Sequence, residues 1–406
     1  MADKLTDAEL VERLKVIADS EDMTDAAFKL GIKPSALRTS IADAKARRLT
    51  PASVVSSEED KLLSRVTLLT AEVARIKRDN DTAESIRRQI FELSERSPEP
   101  PEWIDKVGKP GTRGAPMTLW SDWHWGETVL EDQVGGVNKF NKEVAERRVK
   151  CLVDTTIDLA HNHMGRPNVK YPGVVICLGG DMMTGAIHDE LRETNWSTPQ
   201  QSVNELTDAL TGAIDHMAGK FGRAFVPCVV GNHGRDTLKP RSKGRVFTSH
   251  EWILYCNLER YFRRSKHVQF YIPSETDAHF RVFGHRYLLT HGDSLGVKGG
   301  DGIIGSLGPI MRGALKIGRS EAQIGRDFDT LVMGHWHQYM TPPGIIVNGA
   351  LCGYQEYGRV VLRARYERPT QALWFTHPEH GITASWPVYL EPLATKRDRN
   401  WVSWEK

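Results

Sequence analysis

Residues 174–181 read VVICLGGD, a largely β-branched apolar run that breaks at two glycines and an aspartate. A short apolar run closed by a turn signal marks a strand buried on both faces. The residue just beyond such a strand is where open α/β folds place their ligands. The same grammar recurs on either side. AFVPCVVGNH (224–233), RYLLTH (286–291) and TLVMGH (330–335) each run from an apolar stretch into Gly, Asn or His, and TLWSDWH (118–124) runs into Asp and His. Helical stretches alternate with these runs, so residues 117–395 are expected to form an α/β domain.

Five of these strand ends carry residues of metal-ligand type: Asp122 and His124, Asp181, Asn232 and His233, His291, and His335 and His337. One such pair occurs by chance in many chains; five in succession do not. Two divalent cations about 3.5–4 Å apart need a shared anionic ligand and enough neutral donors to leave room for substrate. A carboxylate supplies the first, imidazoles and an amide carbonyl the second, and no thiolate is called for. The donor mix suits two ions of manganese, with iron or zinc as alternatives, better than an all-oxygen magnesium or calcium site. Two features beside the ligands point to a polyanionic substrate. The segment after GNH carries Arg235, Lys239, Arg241, Lys243 and Arg245 against the single acid Asp236, which suits a phosphate track. Trp123 and Trp336 sit between ligands, where indoles could stack on bases or pack beneath the site.

The motif order DxH, GD, GNH, H, GHxH resembles the calcineurin-like metallophosphoesterase superfamily over most of residues 117–340. The resemblance implies a four-layer α/β/β/α sandwich. It implies Asp122, His124 and His337 around one metal, Asp181 bridging, and Asn232, His291 and His335 around the other. His233 would contact the scissile phosphate, and hydroxide held between the metals would attack phosphorus in line. One departure stands out: the family's acid after GNH is Gly234 here, which displaces the partner of His233 to Asp236 or removes it. DWHWG has the DxHxG form of the SbcD-like nuclease branch, some of whose members need a partner ATPase. The tail, GIIVNGALCGYQEYG (344–358) and RPTQALWFTHPEHGIT (368–383), is similar to phage-encoded members often labelled DNA-repair exonuclease-like, which implies action in a host cytoplasm.

The N-terminal 50 residues have a different grammar. Thr6 to Glu9 is a capping-box pattern with Leu10, Leu14 and Ile17 on one face, a second helix starts near Thr24 and stops at Gly31, and a third begins at Pro34. The run TDAAFKLGIKPSALRTSIADAKARR (24–48) resembles the helix-turn-helix of small DNA-binding domains. Lys33, Arg38, Lys45, Arg47 and Arg48 would meet DNA. Over residues 55–97, Leu62, Leu69, Ile76, Ala83 and Ile90 recur at sevens, with Val66, Val73 and Asn80 in the other seam position. This predicts a coiled-coil helix that makes a homodimer through 57–93. Prolines and glycines over 98–116 read as a linker.

A net charge of +2, from 54 Lys and Arg against 52 Asp and Glu, excludes a protein that coats polyanions by bulk charge. Five scattered cysteines without a CxxC fit neither a disulfide framework nor a zinc ribbon. With no apolar leader and no transmembrane run, a cytoplasmic protein without membrane contact is expected. HGDSLG (291–296) contains a serine-esterase string but lacks the later DxxH, and KGGDGIIGSLG (298–308) lacks a P-loop's GK[ST] ending. The expected function is hydrolysis of DNA phosphodiester bonds by a dimetal centre. The alternatives are a small-nucleotide or phosphoprotein phosphatase, and a DNA-binding scaffold with an inactive metal site.

Overall fold

The computed structural model describes residues 5–51, 65–67, 69–74, 104, 114–163, 170–295 and 306–392. They fall into two compact units, within Met1–Glu92 and Leu93–Lys406.

The first unit opens with α1 (Asp7–Ala18), α2 (Met23–Lys29) and α3 (Pro34–Ala46). The Thr6 side chain accepts from Glu9 N while the Glu9 side chain accepts from Thr6 N, closing the expected capping box. Asp22 caps α2, and Gly31 turns the chain at φ +62° before Pro34 starts α3. Ala26, Ala27 and Leu37 form a small buried cluster with Ile17, Met23, Leu30 and Ile32 packed against it. Of the predicted coiled coil, only residues 65–67 and 69–74 are described. They are helical, with Val66, Leu69 and Val73 exposed; Leu62, Ile76, Asn80, Ala83 and Ile90 lie outside the described residues.

The second unit is α/β with two mixed sheets. The larger has the order β10-β9-β1-β2-β3-β4. β1 (Ala115–Trp120), β2 (Val174–Leu178), β3 (Ala224–Pro227) and β4 (Val268–Tyr271) run parallel. β9 (Thr370–His377) and β10 (Gly381–Tyr389) return antiparallel beside β1. The smaller sheet pairs β5 (Ala278–Val282) antiparallel to β6 (His285–Thr290), followed in parallel by β7 (Thr330–Met333) and β8 (Ile345–Val347).

The strands are buried on both faces because alternate residues serve different cores. Met117, Leu119, Val175 and Cys177 pack with Phe280, Leu289, Val332 and Ile346 of the smaller sheet. Trp120, Ile176 and Leu178 point the other way, onto α4 (Lys142–Asp158), α6 (Pro199–Phe221) and α7 (His250–Phe262), through Leu152, Leu206 and Leu254. Between the first two of these helices lies the short α5 (Asp189–Thr194). On the far side of the smaller sheet, Leu288, Leu331, Met333 and Val347 pack against Ile310 of α8 (Leu307–Gln323). The short α9 (Glu356–Val360) follows β8.

The stretch read as a linker, 98–116, is described at Ile104 and from Gly114 onward, and these residues belong to the fold. Ile104 is fully buried in the core between the sheets, and its carbonyl accepts from Phe283 N at 3.0 Å. β1 starts at Ala115, inside the expected linker, because Pro116 needs no donor of its own at the start of a strand.

Candidate metal centre

The C-terminal ends of β1, β2 and β3 in one sheet, and of β6 and β7 in the other, meet at one place. The loops there are stitched by backbone bonds: Asp122 N donates to Gly180 O at 3.0 Å, and His124 N to Asp181 O at 3.1 Å. His335 N donates across the sheets to Asp122 Oδ1 at 2.8 Å. Of the eight non-glycine residues with positive φ among the described residues, five are Asp122, His124, Asp181, His335 and His337, at 48° to 69°. Left-handed backbone costs a residue with a Cβ roughly 1–2 kcal/mol. Strain of this kind persists only where the surroundings over-determine it, and it gathers at functional sites.

The side chains converge as well as the backbone. Asp181, His291 and His335 form one group whose donor atoms lie within 4.8 Å of one another; Asp122, His124 and Asp181 form a second, and His124, His337 and Cys352 a third. Asn232 joins them, its Oδ1 3.1 Å from His291 Nε2. The seven expected ligands thus form one continuous cluster in which Asp181 and His124 are each shared by two groups. These residues could hold a metal ion.

Hydrogen bonding tests that fit. His291 Nδ1 lies 2.9 Å from Gly179 O, so the ring carries its proton there. Its Nε2 then faces Asp181 Oδ2 at 3.0 Å and Asn232 Oδ1 at 3.1 Å, three acceptors turned towards one another. Such an arrangement calls for a cation. Without a metal, a second proton serves: burial opposes the charge, yet the Asp181 carboxylate raises His291 to about 10. A metal ion supplies positive charge in place of that proton. Two further imidazoles, His335 and His124, are kept neutral, as ligation requires. Burial pushes His335 down to about 4, and burial together with His233 and His337 holds His124 well below its ordinary value. His124 Nδ1 is buried without a hydrogen-bond partner. Asp181 is fully buried, but its histidine neighbours hold its carboxyl well below the usual carboxylate range.

His233 lies against the cluster, its ring edge-to-face with His124 at 4.7 Å. Its Nδ1 donates to Thr184 O at 2.9 Å, which leaves Nε2 for substrate. Asp236 is exposed and takes no part, so a backbone carbonyl holds the ring where the sequence pattern suggested a carboxylate. Gly234 has its own cause. A Cβ there would lie 2.6 Å from Glu251 Cγ and 2.8 Å from Glu251 Cδ. The Glu251 carboxylate, buried on α7, accepts from Gly231 N and Met182 N at 2.6 Å each, next to ligands Asn232 and Asp181. Burial and the Asp181 charge push its carboxyl up to about 8. Asn348 and Gln371 fasten the other side: Asn348 Nδ2 donates to Ser121 Oγ at 2.9 Å and Gln371 Nε2 to Ser121 O at 3.0 Å.

Five of the candidate ligands, His124, Asp181, Asn232, His335 and His337, floor a cavity of about 390 Å³. Its far wall comes from the segment after β8, including Tyr354, Tyr357, Leu362, Arg365 and Arg368. A larger groove, about 640 Å³ between α4 and α6, contains none of the ligands. Cys352 was missed from sequence. Burial keeps it a neutral thiol, and its Sγ accepts from Gln355 Nε2 at 2.9 Å.

Several expected substrate contacts have other duties. Trp123 is a core residue, fully buried beside Trp120, with its Nε1 donating to Gln371 at 3.2 Å, so it cannot stack on a base. Trp336 is half-buried and does line the cavity. Arg235 braces its own loop, donating to Asn232 O at 2.6 Å and Thr237 O at 3.0 Å. Arg245 is paired with Asp293 at 2.7 Å. Lys239, Arg241 and Lys243 are exposed. In the first unit, Arg47 ties α1 to α3 through Asp7 at 2.8 Å and Asp43 at 3.1 Å, which withdraws it from the expected DNA contacts. Lys33, Arg38, Lys45 and Arg48 are exposed.

No protein-family model matches the chain, and no curated protein matches it either. No helix among the described residues is long and apolar enough to cross a membrane.

Proposed function

We propose that the protein is a metal-dependent phosphodiesterase of the calcineurin-like metallophosphoesterase superfamily that acts on DNA. The observation that carries this reading is the convergence of Asp122, His124, Asp181, Asn232, His291, His335 and His337 into one cluster, most of them on left-handed backbone, with five of the seven lining one cavity. The succession of helices, six-stranded sheet, four-stranded sheet and helix supports the four-layer sandwich of that superfamily.

The donor set suits two divalent ions, manganese first, with iron or zinc as alternatives. Asp122, His124 and His337 would hold one, Asn232, His291 and His335 the other, and Asp181 would bridge. When bound, the metals would supply Lewis acidity at the phosphoryl oxygens and a hydroxide nucleophile at neutral pH. The chain's own groups do the rest. Burial lowers the affinity of His233 for a proton. Its free Nε2 is the atom that accepts or returns a proton at the leaving oxygen. Glu251, Ser121, Asn348 and Gln371 hold the ligand loops in place.

DNA is favoured as substrate by the exposed Lys239, Arg241 and Lys243 beside Asn232 and by the basic third helix of the N-terminal unit. Homodimerisation through 57–93, a cytoplasmic site of action and a possible partner ATPase belong to the same proposal. The cavity volume favours a second reading, a small-nucleotide phosphatase or phosphodiesterase, because about 390 Å³ is at the small end of ligand pockets. One assay separates the two: manganese-supplemented protein offered single-stranded, duplex and nicked DNA alongside phosphomonoesters and cyclic nucleotides. DNA cleavage that stops with EDTA is the expected outcome. Turnover confined to the small substrates would reject the DNA reading and retain the metal centre.

A further inference from the structure

α8 buries Pro309, Ile310 and Gly313 beneath it and turns Arg312, Leu315, Lys316 and Arg319 to solvent. Steps of four and three residues put the three cations on one helical face, over about 10 Å at 1.5 Å per residue. None of the three makes a salt bridge or hydrogen bond among the described residues. The one acid of α8, Glu321, is turned away onto His279 at 3.1 Å. Like charges at i and i+4 destabilise a helix, so an unbalanced row of this kind is held at a small cost. A polyanion laid along it removes that cost.

The N-terminal end of α8 adjoins the metal cavity. Ser306, the residue that starts α8, donates to Gln338 Oε1 at 2.5 Å, and Gln338 lines the cavity. A Cβ on Gly308 would lie 3.4 Å from Arg312 Nη1, so this guanidinium reaches back over the first turn, towards the cavity end of the helix. Midway along, Gly313 seats Leu295: a Cβ there would stand 2.9 Å from Leu295 Cβ. Two residues before Leu295, Asp293 pairs with Arg245 of the basic loop after Asn232. The strand end carrying His291 therefore has one basic element on each side.

We infer that Arg312, Lys316 and Arg319 on α8 contact the phosphate backbone of a nucleic-acid strand whose scissile bond lies at the metal centre. The inference rests on the DNA reading above. Three cations on a straight helix match a run of successive phosphates and read no bases, so the contact is indifferent to sequence.

The test uses the full chain carrying Arg312→Gln, Lys316→Gln and Arg319→Gln together, with EDTA present. Binding of labelled single-stranded and duplex oligonucleotides is followed by fluorescence anisotropy from 50 to 200 mM NaCl. Each phosphate contact contributes about 0.7 to the salt slope on single strands and about 0.9 on duplex. Wild-type affinity should therefore fall over that range by about 20-fold more than the variant's on single strands, and about 40-fold more on duplex. Manganese-dependent hydrolysis of bis(p-nitrophenyl) phosphate should be unchanged, which shows that the site is intact. The variant Arg312→Lys with Arg319→Lys should keep the wild-type slope. An unchanged slope in the triple Gln variant overturns the α8 contact and leaves the DNA reading standing. A wild-type chain that hydrolyses the small diester but neither binds nor cleaves DNA overturns both.

Discussion

Gly234 shows how a single position is decided by a residue far away in sequence. The motif GNH leads one to expect an acid next, and the chain supplies none. The reason is volume, since the Glu251 side chain fills the space that a Cβ at 234 would need. The buried carboxylate of this loop comes from α7, where Glu251 binds the amides preceding Asn232 and following Asp181 rather than His233. Gly234→Asp should therefore not supply His233 with a carboxylate partner. It forces backbone or Glu251 to shift, at about 1–3 kcal/mol for overpacking, with a further penalty for a second buried acid. The expected outcome is a lower urea midpoint and fewer equivalents of bound manganese per chain. A variant with wild-type midpoint and metal content would show that Glu251 does not occupy this space. Neither Glu251 nor the Thr184 carbonyl behind His233 was legible in the sequence. A backbone acceptor has no side-chain signature, and a lone glutamate 17 residues beyond Gly234 looks like any other helix residue.

At the scale of elements, much was legible and the remainder has a common cause. The runs ending in GGD, GNH, TH and GH proved to be β2, β3, β6 and β7, because a doubly buried strand must be apolar throughout and must stop where the chain turns polar. The three N-terminal helices were legible from their caps. The return of β9 and β10 beside β1 was not, since Met117 pairs with Trp374 across more than 250 residues and nothing local encodes the pairing. The choice left open for Trp123 between stacking and packing was not legible for a related reason: its neighbours in sequence are candidate ligands, but its neighbours in space are Trp120 and Gln371. Edges rely on polar pairs instead. At the start of β6, Arg286 donates from its N and Nη2 to the Asp329 carboxylate at 2.9 and 2.8 Å, across to the start of β7. The Arg286 guanidinium holds Asp329 down at about 2. Because folding depresses this value, the contribution is complete above the ordinary 3.8 and is lost as pH falls through about 2. Both side chains are about one-third exposed, so screening limits the pair to less than about 1 kcal/mol. Urea midpoints of Asp329→Asn should fall slightly below wild type at pH 7 and converge with it as the pH approaches 2. A gap that widened on acidification would contradict this account.

At the scale of the molecule, the near-neutral charge conceals segregation. Acids and bases balance to +2 over the chain, yet exposed cations gather on α3, in the loop after Asn232 and on the outer face of α8. Bound metals would add further positive charge where the sequence count includes only the aspartates. This distribution suits an enzyme that holds a phosphate backbone at separate places, and it makes the role of the first unit testable. The second unit, beginning at Leu93, has its own cores and contains every candidate ligand. Removing residues 1–92 should leave its circular dichroism, its metal content and its kcat/KM for bis(p-nitrophenyl) phosphate unchanged. DNA cleavage, on the function proposed above, is different, because a first unit that binds DNA would raise the effective concentration of substrate at the cavity. Losing it should cost tenfold or more, up to about 10²-fold, in kcat/KM for DNA at physiological salt. Lowering the salt should recover much of that loss, since the contacts that remain on the second unit strengthen as counterions are diluted. Undiminished DNA cleavage at physiological salt by the truncated chain would assign the N-terminal helices to a partner other than the substrate.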